Sequence, residues 1–168
     1  MKQAASQAAG EFWKFSLAFY ALPGVAPACL VLQNRRGLGV NLALYCCWLG
    51  ISGRGRIDAA QLDAADELIA PWRRDVIEPL RAALRGLKSF AATDPDANAL
   101  HERVKALELE SERICQRRLA ALAPPAGVRD ATGRLEDASA NLAIYLGLAR
   151  ADGAPLLAAL KGFSGAAA

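Results

Sequence analysis

An all-α fold is what this sequence predicts: a single compact, bundle-like domain of about seven to eight helices. Three observations predict it. Ala and Leu dominate while β-branched residues are scarce, which favours helix over sheet. Apolar residues recur at three- and four-residue steps, first in Phe12, Phe15 and Phe19. Pro, Gly and Asp stand where helices must start and stop. The 168 residues suit one domain, and an apolar share of 54% supplies a sizeable core.

The elements follow in order. Residues 1–10 are rich in Ala, Gln and Ser and read as a frayed N-terminus, residues 11–163 as the domain and 164–168 as a loose tail. A first helix covers 11–22, where Trp13, Leu17 and Tyr20 add a second apolar row, and Pro23-Gly24 stops it. Pro27 suits the first turn of a short second helix reaching 33, and Gly37 a C-terminal cap after Arg36. A third, over 40–49, is apolar nearly all round and therefore buried. Residues 50–56, with Gly53 and Gly55, read as a mobile basic loop. Asp58 then caps a fourth helix, with Gln61 completing a capping box, and that helix runs towards Pro71. A fifth covers 72–90, with Pro79 kinking or restarting it. Thr93-Asp94-Pro95 opens a long sixth helix over 96–122, which Pro124-Pro125 ends. A seventh spans 134–150 and a short eighth 156–163. Asn41-Leu42-Ala43-Leu44-Tyr45 is echoed by Asn141-Leu142-Ala143-Ile144-Tyr145, which in an Ala/Leu-rich chain reads as chance rather than duplication.

Several function classes find no support. A net charge of +3 is too small to imply nucleic acid by itself. Cys29, Cys46, Cys47 and Cys115 form no C-x-x-C pair and read as small core residues of a reducing cytosol. His101 is the only histidine and has no metal-ligand spacing around it, so neither a metal nor a cofactor is expected. No Ser or Cys lies near it in sequence to act as nucleophile. Ser52-Gly53-Arg54-Gly55 lacks the ending of a phosphate loop. The uncharged runs 15–34 and 37–53 are broken by Pro and Gly, so no transmembrane segment is expected, which leaves peripheral membrane contact open.

Three features point towards binding. In the fifth helix Arg74, Arg81, Arg85 and Lys88 fall within roughly 60° of one another at 100° per residue, opposite Val76, Ile77, Leu80, Leu84 and Leu87. That stripe suits an acidic protein, RNA or an anionic small molecule, with Arg54, Arg56 and Arg73 placed to extend it. Glu78 lies on the same stripe and would neutralise part of it. Second, Trp13, Tyr20, Gln33, Asn41 and Trp48 put polar groups inside apolar runs, as the wall of a small-molecule or lipid pocket does. Third, Leu100, Val104, Leu107 and Ile114 form a heptad-like seam on the sixth helix, broken by Ser111, for packing within the domain or across a homodimer. The carboxylates of that helix read as a charged outer face.

The first half resembles a proteobacterial family of small helical conserved proteins of unknown function. The resemblance rests on Phe12-Trp13-x-Phe15-Ser16-Leu17, Tyr20, Pro23-Gly24-Val25, Ala28-Cys29-Leu30-x-Leu32-Gln33, Gly37, Val40-Asn41-Leu42 and Trp48-Leu49. A second block is Trp72-Arg73, Pro79-Leu80-Arg81, Arg85 and Lys88. Position 39 is Gly where that pattern leads one to expect Asp. The resemblance implies a bacterial, cytoplasmic, helical protein and supplies no activity. The leading expectation is a non-enzymatic interaction module acting through Arg74, Arg81, Arg85 and Lys88. The alternative is a ligand-binding protein acting through Trp13, Tyr20, Gln33, Asn41 and Trp48.

Overall fold

The computed structural model describes residues 2–166, with side chains described for 6–163. Eight α-helices follow one another among the described residues, with no strand. They are α1 (Lys2–Tyr20), α2 (Val25–Arg36), α3 (Val40–Ile51), α4 (Ala59–Trp72), α5 (Glu78–Ala91), α6 (Pro95–Ala120), α7 (Ala131–Leu146) and α8 (Ala154–Ala166). The predicted all-α class is the observed one. The punctuation acts as chemistry requires. Gly37, at φ 66°, adopts the left-handed conformation that closes α2 and donates its N–H to Leu32 O. Asp58 and Gln61 cap α4 reciprocally. Asp94 accepts from the N–H groups of Asp96 and Ala97 at the start of α6.

Some boundaries differ. The first helix extends back to Lys2 through residues expected to fray, and Ala8 packs into the core. Met1, at the head of that segment, lies outside the described residues. At the other end α8 runs to Ala166, through the first part of the expected loose tail, and residues 167–168 also lie outside the described residues. The seventh helix ends at Leu146 in a short 3₁₀ turn, because Gly147 takes φ 48°.

The centre is α3, buried on all sides from Asn41 to Gly50. It packs most extensively on α7. The approach is closest at Gly50, where a Cβ would lie 2.0 Å from the Ala138 backbone nitrogen. The pair runs antiparallel: Asn141 reaches Cys46 O and Tyr145 donates to Gly39 O. Phe12 of α1 stacks on Trp48 at 4.9 Å. All four cysteines are free and buried, and burial raises the thiols of Cys29 to about 11 and of Cys46 and Cys115 to about 12.

The basic loop after α3 is built into the body. Arg54 donates to Pro124 O at 2.6 Å, pairs with Glu11 at 2.9 Å and covers the Trp48 ring at 4.7 Å. Arg56 and Arg129 both pair with the buried carboxylate of Asp137. Neither Arg54 nor Arg56 therefore extends a basic patch on α5.

α4 and α5 form one continuous rod joined by a π-turn at Arg73–Ile77. Pro79 supplies a physical reason. It has no N–H for the Asp75 carbonyl, and its ring would collide with that carbonyl in a regular helix. The widened turn avoids this, with the Glu78 N–H donated to Arg73 O. The apolar side of α5 faces α6 rather than the central core: Leu80, Leu84 and Leu87 are half-buried and no residue of α5 is fully buried. On α6 the expected seam is likewise not the inner face. Leu100 and Leu107 are exposed, whereas Ser111, Cys115, Gln116 and Leu119 are buried. No single helix among the described residues is long and apolar enough to cross a membrane.

Candidate ligand cleft

The π-turn decides which arginines share a face. One extra residue in the turn rotates everything before it by about 100° relative to α5. Arg74, which uniform helical spacing aligns with Arg81, is thereby carried away from it. Its side chain is 70% exposed and paired with the adjacent Asp75. Arg73 takes its place. Half-buried like Arg81, it lines with Arg81 and the exposed Arg85 a concave lobe of about 550 Å³. Lys88 is exposed, and neither it nor Arg74 contributes to this wall.

A second lobe of about 580 Å³ adjoins the first. Gln33, Asn41, Arg81, Arg85 and Glu112 border both. Beyond them the second lobe is walled by Trp13 and Tyr20 of α1 with Leu30, Leu84 and Leu109. Two sets of residues that the sequence offered as rival sites therefore meet in one cleft, each incompletely. Arg81 and Arg85 come from the basic set, and Trp13, Tyr20, Gln33 and Asn41 from the pocket set. Trp48 does not join them: it is 2% exposed, held in the core between Phe12, Tyr45 and Arg54.

The floor is a polar chain that sequence reasoning missed. Arg81 donates to Glu108 at 3.1 Å and to Glu112. Asn41 donates to the other Glu112 oxygen and accepts from Gln116 Nε2 at 3.0 Å. Burial pushes the Glu112 carboxyl up, against the lowering effects of Arg81 and Asn41. Burial also raises the Tyr20 hydroxyl. Glu112 belongs to a row of charges that reads as a solvated face in sequence. The available signal was its spacing: Cys115 and Leu119, three and seven residues on, share its side of α6.

The charges of the cleft are unevenly spent. Arg73 pairs with Asp66 at 3.0 Å, and Arg81 with two glutamates. Arg85 has no carboxylate partner among the described residues. Two buried polar atoms on the cleft's lining residues, Ser16 Oγ and Gln116 Oε1, also lack partners among the described residues. No group of three His, Cys, Asp or Glu side chains among the described residues is placed to hold a metal ion.

An all-α bundle with an amide-, arginine- and aromatic-lined cleft between α1, α2, α3, α5 and α6 is the class of protein this geometry defines. The chain belongs to the DUF2390 family, described as protein of unknown function, whose pattern matches residues 11–119. Every cleft residue from Trp13 to Gln116 falls inside the matched segment. No curated protein and no solved structure matches the chain.

Proposed function

We propose that this protein is a non-enzymatic binding module that takes an anionic small molecule in the cleft. One observation carries the reading: Arg81 and Arg85 converge with Trp13, Tyr20, Gln33 and Asn41 on one concavity, while Arg74 and Lys88 stay off it. A flat stripe of four cations would suit RNA or an acidic protein surface. A lobe of about 580 Å³ instead has the size and mixed lining of a small-molecule site.

Anilinonaphthalene sulfonate, an apolar anion, is a suitable probe. Titrated by fluorescence, it should bind wild type and lose at least tenfold in affinity in Arg85→Glu, with the melting temperature unchanged. Arg74→Glu should bind as wild type does. Loss in Arg74→Glu or Lys88→Glu with full binding in Arg85→Glu would return the site to the outer stripe and overturn the reading.

A further inference from the structure

The two lobes differ in chemistry, and the difference describes a ligand. One end of the cleft is built by the start of α3. Gly39 stands at the N-cap, and among the described residues no side chain caps the helix and no hydrogen bond takes up the N–H groups of Val40 and Asn41. Unspent N–H groups at a helix start favour an anion. This turn lines the same lobe as Arg85. Gly39 also keeps the space open: a Cβ there would lie 2.8 Å from Arg73 Nη1 and 3.6 Å from the Tyr145 hydroxyl. Away from the residues that border both lobes, the far lobe is mainly apolar, walled by Trp13, Leu17, Leu30, Leu84 and Leu109.

An independent observation comes from Gln116, which lines that apolar lobe and is 3% exposed. Its Nε2 is committed to Asn41, and its Oε1 has no partner among the described residues. A buried amide oxygen without a donor is costly unless a donor arrives.

We propose that the ligand is a free amphipathic acid. Its acid head meets Arg85 and the open start of α3, its apolar chain or ring lies against Trp13 and Leu84, and an N–H or O–H of its own supplies Gln116 Oε1. This rests on the cleft being the binding site, as proposed above.

Calorimetric titration tests it with straight-chain carboxylates from acetate to decanoate, the matching primary alcohols, N-octanoylglycine, and phosphatidylglycerol vesicles. The proteins are wild type, Arg85→Gln and Gly39→Asp. Carboxylate affinity should rise roughly fourfold per methylene until the lobe is filled. Each carboxylate should bind at least tenfold tighter than its alcohol. N-octanoylglycine, which carries an N–H, should bind tighter than decanoate. In Gly39→Asp the new carboxylate caps α3 and pairs with Arg73. That variant should lose at least tenfold for carboxylates while melting no lower than wild type and keeping the chain-length trend of the alcohols.

A flat chain-length series, or carboxylate binding unchanged in Gly39→Asp, would overturn the inference. If Arg85→Gln still lost affinity, the proposed cleft would stand without it. No effect of Arg85→Gln on any probe would overturn both. Binding to vesicles without binding to free acids would overturn the free-acid assignment.

Discussion

Asn41 and Asn141 open two similar pentapeptides, yet their side chains have unlike duties. Asn141 is fully buried and wholly spent. Its Oδ1 accepts the Ile57 N–H at 2.9 Å, and its Nδ2 donates to Cys46 O at 3.2 Å and Gly55 O at 3.0 Å. It ties the loop after α3 to α7. Asn141→Ala strands the buried Ile57 N–H, removes a donor from Cys46 O and Gly55 O, and should cost about 3 kcal/mol in urea unfolding. Asn41 instead borders the cleft and holds Glu112. A pH prediction follows from that carboxyl, which burial raises above its ordinary 4.5. Between 4.5 and the raised value the unfolded chain loses this proton while the native chain keeps it. Native protein binds more protons there, so this group's contribution to stability falls as pH rises through that window. Glu112→Gln removes the loss. Unfolding free energies of the two proteins, compared from pH 4 upwards, should diverge in the variant's favour above 4.5 and run parallel once the native carboxyl is ionised. Both asparagines were visible in sequence as polar residues in apolar runs. Which was spent on backbone and which faced a cleft depends on neighbours far along the chain.

Among the elements, two geometries place the site. The first is the contact of α3 with α7 at Gly50. Gly50→Ala puts a methyl 2.0 Å from the Ala138 nitrogen and 2.3 Å from its Cα, where only backbone movement gives relief. It should destabilise by at least about 3 kcal/mol, read by chemical denaturation. The second is the π-turn. Asp75 lies on it, exposed and paired with its neighbour Arg74. Deleting Asp75 should return the rod to a regular helix with both flanks still in phase. Arg73, Arg81 and Arg85 should then still line the cleft, and probe binding should survive. With Pro79 now inside an ordinary helix, stability should fall by about 3 kcal/mol, and Pro79→Ala in the same background should recover most of it. The caps at Gly37, Asp58 and Asp94 were legible in sequence because a cap depends on a few consecutive residues. The π-turn was not. Pro71 and Pro79 announce an irregularity without saying whether the helix breaks, kinks or widens.

For the whole molecule, the family pattern and the folding unit do not coincide. The pattern ends at residue 119, but α7 lies beyond it and covers α3 more extensively than any other helix does. A chain ending at Ala120 keeps every cleft residue and loses that cover, exposing a helix that is apolar on all sides. It should lose cooperative thermal unfolding by circular dichroism and elute as aggregate. Cys46 and Cys47, protected in the intact chain, should react fully with a thiol reagent.

The sequence by itself determined the helical class, the order of the elements, the capped boundaries and the burial of α3. Each of these follows from local composition and periodicity, where the deciding residues lie within a few turns of one another. Tertiary structure alone decided that two rival sets of residues share one cleft, that Arg73 replaces Arg74, that Trp48 is core, and that Glu112 turns inward. These outcomes depend on the phase of one rod against α6 and on the seating of α1 and α2 beside it. A single π-turn changes that phase by about 100°, and no local pattern reports it.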